Sequence, residues 1–487
     1  MNSIAIIILA PMLWGAIALA LPPRLKFPLV FAGLLLGCFS AIQLMLLVST
    51  EGAFTYAVGS WSAPLGIDLK VDGLAVSMLL LTQIISLIAA LYAQLYLKQQ
   101  PRQLAYFWPL LGFLLCGLNA LFLSADLFNL YVTLEVVGLA AVSLVALTGK
   151  RANINAALRY LIATLLGSGL YLLGTGLIYG LYGTVSIELL AELIENPDQP
   201  ALLYLKITIG LIIVGLMFKA ALWPLHYWLP PAHGGAMPAV SALLSALVVK
   251  AAFYIVLRLW LELFGSLAAL ATPLLFGLGA AAILLGSWRA IQADELKRVV
   301  AYSTVAQVGY LFLALPLLST VAQPPALQAI SMQMIAHGTA KAAMFMAAGI
   351  LVLVSAGGKI AQLQGSASRQ PLAMFAFALA GVSLIGLPPS GGFIAKWYLL
   401  TALIESGFWP LVAVVLAGGL MAAWYVFRVI NIAFTDSPDE ASDNTLITTN
   451  KPQQTMAWLA MLLALAAIAL GFCGQPLADL IATGAAS

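Results

Sequence analysis

The chain has 487 residues, of which 63% are hydrophobic and only 8% are charged, and its formal net charge is +3. A soluble domain carries about a quarter charged residues, so this composition excludes a soluble protein. It predicts an all-α polytopic membrane protein, and the small net charge excludes nucleic acid as a partner.

Apolar runs of about 20 residues, the length that crosses a bilayer as a helix, follow one another along the whole chain. They predict about 14 transmembrane spans, which we number in chain order. The predicted spans are 3–21, 28–49, 73–96, 105–123, 126–147, 156–180, 205–228, 238–262, 267–288, 299–318, 325–354, 371–404, 408–432 and 455–479.

The first predicted span has the length of a signal peptide but lacks its basic start, so we interpret it as a membrane span. Basic residues concentrate in cytoplasmic loops. Fourteen of the 21 basic residues fall in the loops after odd-numbered spans, whereas only Lys70, Lys206 and Arg258 fall on the other side. We therefore expect both termini on the outer side of a bacterial inner membrane.

Two segments outside the spans have recognisable patterns. Residues 185–198 place Ile187, Leu190 and Ile194 on one helical face, which predicts a short helix at the outer membrane surface. Residues 436–443 are acidic and predict a solvated cytoplasmic loop, with contact to a partner as the alternative.

The three cysteines, Cys38, Cys116 and Cys473, lie far apart within apolar runs. They form no CxxC pair and no metal-ligand spacing, so we interpret them as small hydrophobic residues. We expect no cofactor in this chain: no iron–sulfur cluster, no haem and no structural zinc.

Spans 7 and 12 are interrupted by proline and glycine, in LWPLHYWLPPAHGG and in GLPPSGG. Such breaks survive in a membrane only where the freed backbone groups face protein or a wet cavity, and paired broken helices are typical of ion sites in inverted-repeat transporters. The two breaks lie five spans apart. They predict two inverted five-helix repeats, spans 4–8 and 9–13.

Five ionisable residues lie deep within apolar spans, where each costs on the order of 3 kcal/mol. They predict a charge pathway through the membrane, with His337 one turn from Lys341 on the same helical face. The five are Glu135, Lys219, Lys250, Lys341 and Lys396.

A lysine in apolar surroundings binds its proton less tightly, and a nearby carboxylate reverses this effect. A Glu–Lys pair whose separation changes is therefore a proton switch, and Glu135 with Lys219 is our candidate pair. Lys250, His337, Lys341 and Lys396 would continue a lateral chain. The alternative is a static buried ion pair that holds helices together, although such pairs stabilise proteins poorly.

Further polar residues have two interpretations each. Asp126 and Asp72 lie at the starts of spans 5 and 3, where an acidic residue commonly caps the helix. For Asp126 the alternative is a role in uptake of protons or cations. His226 and His233, at the cytoplasmic end of span 7, are candidates for proton uptake towards Lys250. We expect no metal site at these two isolated histidines.

No P-loop, dinucleotide-binding fingerprint or nucleophile elbow occurs in the sequence. Energy for transport must then come from an ion gradient or from a partner subunit. By itself, the chain is predicted to be a transporter subunit, and whether it serves a redox enzyme stays open.

Six motifs resemble the antiporter-like, proton-translocating subunits shared by respiratory complex I, membrane-bound hydrogenases and Mrp-type cation/proton antiporters. The resemblance covers spans 3 to 13, and DLFNLYVTLE is most similar to the D subunit of Mrp antiporters. They are VDGLAVSMLLLT (71–82), ADLFNLYVTLEVVGLA (125–140), FKAALWPLHYWLPPAHGGAMPAVSALLSALVVKAAFY (218–254), ADELKRVVAYSTVAQVGY (293–310), HGTAKAAMF (337–345) and IGLPPSGGFIAKWYL (385–399).

The resemblance implies a fourteen-helix fold with inverted repeats and broken helices 7 and 12. It also implies proton translocation through the six residues already singled out, with Glu135 on helix 5, Lys219 on helix 7, Lys250 on helix 8 and Lys396 on helix 12. The implied divisions are spans 1–3 (residues 1–104), the first repeat (105–262), the second repeat (263–432), and the acidic loop with helix 14 (433–487).

On this resemblance we expect the chain to be the D subunit of a Na⁺(or K⁺)/H⁺ antiporter, with small hydrophobic subunits and a larger antiporter-like homologue as partners. The first alternative is a pumping subunit of complex I or a hydrogenase, whose partners are redox subunits. The second is a membrane subunit of an inorganic-carbon uptake complex.

Overall fold

The computed structural model describes residues 2–194, 199–265, 271–355, 357–436 and 451–484. Within them, 13 helices are long and apolar enough to cross a membrane. Span 12, the one predicted span that is not among these 13, consists of two shorter helices of 15 residues each. The prediction of a polytopic, all-α membrane protein is confirmed. The predicted acidic loop lies outside the described residues apart from Asp436.

The spans keep their predicted order, with boundaries shifted by a few residues. Spans 1 to 6 are Asn2–Ala20, Pro23–Glu51, Gly73–Tyr96, Pro101–Leu123, Leu127–Ala146 and Arg151–Tyr182. Span 7 comprises Gln199–Lys219 and Leu229–Gly235, and span 8 is Pro238–Phe264. Spans 9 to 11 are Thr272–Gln292, Leu296–Ser319 and Gln323–Val354. Span 12 comprises Pro371–Ile385 and Gly391–Glu405, span 13 is Trp409–Phe434 and span 14 is Lys451–Phe472.

Both predicted breaks are present, and the backbone groups that they free have partners. In span 7, Ala221 has a φ of 56°, and the indole N–H of Trp228 donates to the carbonyl of Phe218 at 2.9 Å. In span 12, Gly386 has a φ of 86°, which favours glycine, and the Ser390 hydroxyl caps the second half by accepting the N–H of Phe393.

Matching backbone contacts relate the two five-span units. In the first unit, Leu127 N–H donates to Val185 O at the start of span 5, and Ile187 N–H donates to Ala125 O. In the second unit, Leu296 N–H donates to Gly358 O at the start of span 10, and Ile360 N–H donates to Asp294 O. A short helical segment follows each of these bridges, Ile187–Ile194 and Ile360–Leu363. The same local structure therefore occurs on opposite ends of the bundle, as an inverted repeat requires.

The centre of the bundle is formed by spans 3, 8, 10 and 11, which are mostly or wholly buried, whereas spans 1, 2, 13 and 14 expose most of their surface. Exposed apolar residues on these outer spans are those that a lipid bilayer or a neighbouring subunit would cover. The spans that carry Lys250, His337 and Lys341 thus lie in the protein interior.

The short helix predicted after span 6 is present as Ile187–Ile194, with Ile187, Leu190 and Ile194 buried as expected. Residues 195–198 of that prediction lie outside the described residues. Helix capping by Asp72 and Asp126 is also confirmed, because each side chain accepts a backbone N–H, from Ala75 and from Asn129 respectively.

Two features of the fold differ from the prediction. An antiparallel hairpin, β1 (Phe54–Ala57) with β2 (Asp68–Val71), connects spans 2 and 3. The apolar run predicted as span 14 ends at Phe472 and is followed by a separate helix, Gly474–Ala482. This helix packs against span 3, and Thr483 O accepts the N–H of Gly73. The hairpin and both ends of the described chain therefore lie at one face of the bundle, which we call the terminal face.

Candidate functional site

Glu135 of span 5 and Lys219 of span 7 form an ion pair, with 2.7 Å between Oε1 and Nζ. Lys219 ends the first half of its broken span and its side chain is 5% exposed, whereas that of Glu135 is 20% exposed. The Ser168 hydroxyl of span 6 also donates to the Glu135 carboxylate. The two residues chosen as a switch are thus in direct contact, with three spans meeting at one carboxylate.

Lys250 lies at the centre of span 8 and has no exposed surface. Its ammonium group donates to the carbonyl of Ser245, within a π-helical turn formed by Leu244–Val248. Such turns occur frequently at functional sites because they leave backbone carbonyls accessible. The Ser245 hydroxyl in turn lies 2.9 Å from the hydroxyl of Thr304 in span 10.

Lys341 of span 11 is held by span 10, where it donates to the Val300 carbonyl at 2.8 Å and to the Ser303 hydroxyl. Thr304 donates to the same Val300 carbonyl at 3.1 Å. Ser245, Thr304 and Val300 therefore lie between Lys250 and Lys341, with Lys250 at the carbonyl of Ser245 and Thr304 at its hydroxyl.

His337 lies one turn before Lys341 and is 2% exposed. Neither of its ring nitrogens has a hydrogen-bond partner within the described part of the chain. Both Lys250 and Lys341 are close enough to interact with it electrostatically. The histidine thus lies beside the two lysines with two free nitrogen atoms, which are available to donate and accept protons.

Lys396 lies in the second half of span 12 and donates to two carbonyls at the end of the first half, Leu384 at 3.1 Å and Ile385 at 2.7 Å. The last carbonyls of a helix lack helical partners and carry partial negative charge, so they suit a cation. The ring of Tyr310 adds a cation–π contact at 4.8 Å.

Two glutamines that the sequence analysis missed lie between the contacts of Lys341 and those of Lys396. Gln307 lies one turn after Ser303 in span 10 and donates to the Leu384 carbonyl at 3.0 Å, the same carbonyl that Lys396 contacts. Gln333 of span 11 donates to the Gln307 side chain at 2.7 Å. Polar side chains and carbonyls thus form a row past Lys250, Lys341 and Lys396 across spans 8, 10, 11 and 12, although among the described residues no hydrogen bond joins Ser303 directly to Gln307.

The Glu135–Lys219 pair is separated from the row of polar groups around Lys250, Lys341 and Lys396. Among the described residues, no hydrogen bond joins the pair to Lys250. A proton could therefore pass between Lys219 and Lys250 only through ordered water or by a movement of the side chains.

The residues expected to take up protons or cations differ in exposure. Asp126 is 9% exposed and caps span 5. His226 lies half-buried in the break of span 7, with its ring edge-on to Tyr302. His233 has no exposed surface and stacks on Phe345, with Lys250 and Lys341 within electrostatic range. His233 lies near the end of span 7 as expected, but it has no contact with solvent and is part of the interior.

The inverted repeat shows that the two units are chemically unequal. The paired bridges align Asp126 with Glu295, so nine residues further on Glu135 aligns with Thr304. The first unit therefore holds a carboxylate where the second holds a hydroxyl. Lys219 has a charged partner, whereas Lys396 is held by backbone carbonyls.

Arg258 was counted among the basic residues of the outer side, near the end of predicted span 8, and in the structure it lies inside span 8 and is 5% exposed. Its guanidinium contacts both carboxylate oxygens of Asp72, and Nη2 lies 2.6 Å from Oδ1. The partners are 186 residues apart, and a single sequence does not show that spans 3 and 8 are neighbours. Apart from the two charged residues themselves, nothing in the sequence therefore indicated that they form a pair.

Comparisons with known proteins agree with this architecture. The family described as NADH:quinone oxidoreductase/Mrp antiporter, TM, matches residues 124–422, more than half of the chain. The chain is 36% identical to the N subunit of NADH-quinone oxidoreductase from Desulforudis audaxviator, with 88% of this chain and 86% of the relative aligned. It is 27% identical to the D subunit of the Na⁺/H⁺ antiporter from Alkalihalophilus pseudofirmus, with 98% and 95% aligned.

A solved structure of the Mrp complex from Dietzia sp. DQ12-45-1b contains a chain with the same fold. Its TM-score is 0.88 at 26% identity, and the alignment includes all of this chain and 97% of the other. The match to the family, the relatives of both kinds and the two broken helices lead to one conclusion. The chain belongs to the NADH:quinone oxidoreductase/Mrp antiporter transmembrane family.

Proposed function

We propose that this chain is a proton-translocating subunit of a multisubunit membrane complex. Protons would move along Glu135, Lys219, Lys250, His337, Lys341 and Lys396. The observation that carries the proposal is the row of polar side chains and carbonyls that passes Lys250, Lys341 and Lys396 in the interior of the bundle.

The Glu135–Lys219 pair would act as the switch at one end of this path. While the carboxylate is 2.7 Å from the ammonium group, it favours the charged form of Lys219. Separation of the two groups removes this effect, so the lysine can release its proton towards Lys250. Lys219 is the last residue of the first half-helix, so a shift of that helix end would change its separation from Glu135.

For the complex itself, we propose a Mrp-type cation/proton antiporter in a bacterial cell membrane, with this chain as its D subunit. Alignment with the D subunit of a Na⁺/H⁺ antiporter over nearly the full length of both chains supports this assignment. The TM-score of 0.88 to a chain of the Mrp complex supports it too. Small hydrophobic subunits and a larger homologue would then be partners, and proton inflow would drive export of Na⁺ or K⁺.

A second candidate is a pumping subunit of a redox-driven complex. The 36% identity to the N subunit of an NADH-quinone oxidoreductase favours it. In that setting electron transfer in partner subunits would drive protons along the same residues.

Purification of the native complex through a tag on this chain tests the choice between these settings. A colourless complex of several small hydrophobic subunits is expected for an antiporter. Visible absorbance of flavin or iron–sulfur groups, together with soluble subunits, would contradict the antiporter assignment and support the redox pump.

A further inference from the structure

The Asp72–Arg258 pair belongs to a larger buried network at the terminal face. Arg258 Nε and Nη2 lie 2.9 and 2.8 Å from the Tyr254 hydroxyl, which donates to the Phe122 carbonyl. Asp72 also accepts the N–H of Ala75, and Glu262 accepts from Arg258 at 3.1 Å. The network thus joins spans 3, 4 and 8.

A buried ion pair of this kind contributes little net stability, because desolvation of both charges offsets their attraction. Arginine also keeps its proton at any physiological pH, so Arg258 cannot carry protons as the lysines can. The proton path proposed above therefore gives this residue no role.

Asp72, which precedes span 3, is ionised at neutral pH. Burial alone would raise the pKa of Asp72, but the charge of Arg258 and the hydrogen bonds from Arg258 and Ala75 hold it below its ordinary value. The pair is therefore a true pair of opposite charges.

Arg258 lines a cavity of about 500 Å³ at the terminal face. Three glutamates, Glu188, Glu192 and Glu262, also line this cavity, against two basic residues, Lys70 and Arg258. Opposite charge raises the local concentration of ions, so an excess of carboxylates attracts protons and cations. The residues deeper in span 8, Tyr254 and Lys250, do not line the cavity.

Lys250 lies two turns deeper than Arg258 on the same side of span 8, about 12 Å along the helix axis. Tyr254 occupies the turn between them, and its ring packs edge-on against Phe122 at 5.0 Å. Lys250 extends away from the cavity, towards the Ser245 carbonyl. The fixed positive charge of Arg258 thus lies between an acidic cavity and the central lysine.

We propose that the Asp72–Arg258 pair is an electrostatic seal that closes the terminal-face cavity off from Lys250. The guanidinium repels cations and protons at the inner end of the cavity. The carboxylate of Asp72 offsets the free-energy cost of burying the guanidinium. The seal prevents passive flow of protons that would bypass the switch at Glu135 and Lys219. The proposal rests on the proposed function in one respect, since it takes Lys250 as a proton carrier.

The test is passive proton leak in vesicles that contain the complete complex, purified through a tag on this chain and supplied with no energy source. The decisive variant is the double substitution Asp72→Asn and Arg258→Gln, which removes both charges and leaves neither buried alone. We expect its leak to rise about tenfold or more, as for a barrier lowered by at least about 1.4 kcal/mol.

The matched variant Glu192→Gln, which changes an exposed carboxylate of the same cavity, should leave the proton leak at the wild-type level. If the assembled double variant leaks protons no faster than the wild type, the proposed seal is overturned. The pair would then only hold the helices together. Coupled transport by the wild-type complex in the same vesicles tests the proposed function separately.

Discussion

Each of the four lysines within the spans, Lys219, Lys250, Lys341 and Lys396, has hydrogen-bond acceptors, but of these four only Lys219 has a carboxylate among the residues that the structure describes. Lys250, Lys341 and Lys396 are held by carbonyls and a hydroxyl. Both the ammonium and the neutral amine donate hydrogen bonds, so neutral acceptors accommodate both forms. Such surroundings suit a group that gains and loses a proton, whereas a carboxylate favours the charged form alone.

Glu135 is the residue on which the switch depends. In the Glu135→Gln variant the amide keeps the size of the side chain and still accepts a hydrogen bond from Lys219, but it removes the negative charge. We expect transport by the complete complex to fall about tenfold, with normal assembly. Proton flux into reconstituted vesicles measures this effect.

Glu405→Gln is the matched control, because Glu405 is an exposed carboxylate at the end of span 12. It should transport at the wild-type rate. Unchanged transport by Glu135→Gln would mean that the pair is a static tie between spans 5 and 7.

Gln307 tests the connection between Lys341 and Lys396. Gln307→Leu removes the donor to the Leu384 carbonyl and leaves Gln333 without its side-chain partner. We expect a complex that assembles but transports several times more slowly, because the carbonyl that holds Lys396 loses its position. Gln328→Leu, on the same span as Gln333 but at the terminal face, should retain transport; equal rates in both variants would contradict the connection.

At the level of residues, the sequence reveals those charges whose burial is costly on any helix. Glu135 and the four lysines lie near the middle of apolar runs, so their burial follows from position alone. Gln307, Gln333, Ser303 and Thr304 carry no charge and do not stand out in a transmembrane sequence. Their part in the connection depends on which spans are neighbours.

The breaks in spans 7 and 12 place helix ends inside the membrane, and close packing fixes the second of them. A Cβ on Gly392 would lie 1.8 Å from the Ser383 carbonyl oxygen, whereas one on Gly210 of span 7 meets no atom within 4 Å. Gly392→Ala should therefore lower the yield of assembled complex, while Gly210→Ala should match or exceed the wild type, since alanine favours helix.

Thermal unfolding of the purified complexes, followed by size-exclusion chromatography, compares the two glycine variants. A Gly392→Ala complex as stable as that of Gly210→Ala would show that the two halves of span 12 do not pack as closely as described.

At the level of elements, long apolar runs and proline-glycine breaks are strong signals, and both predict the observed spans. The hairpin β1–β2 was missed because each strand has four residues and ten residues separate them. The helix Gly474–Ala482 was missed because the apolar run continues across the turn at Cys473, so hydropathy shows no boundary.

As a whole, the molecule is an inverted repeat with unequal halves. Symmetry of the backbone follows from the paired bridges at Leu127 and Leu296, yet within the described residues the carboxylate–lysine pair occurs in the first half. The break positions in the sequence indicate the repeat. The inequality appears only when Glu135 is aligned with Thr304, for which the backbone contacts are needed.

The orientation of the molecule in the membrane is a prediction from its basic loops. Ser60 is exposed between the two strands of the hairpin at the terminal face. If the terminal face is outward, a membrane-impermeant maleimide added to intact cells should label the Ser60→Cys variant more strongly than the wild type. A cysteine introduced by Lys359→Cys, at the opposite face, should react only after lysis; the reverse pattern would invert the topology.

The central claim is that buried lysines carry protons across this membrane protein. Lys341 lies between Lys250 and Lys396 in the row of polar groups. The most direct measurement is proton flux in vesicles containing the complete complex with Lys341→Met, compared with Lys206→Met near the other end of span 7. The account predicts a loss of about tenfold or more for Lys341→Met, with normal assembly, and wild-type flux for Lys206→Met. Wild-type flux in the assembled Lys341→Met complex would contradict the account.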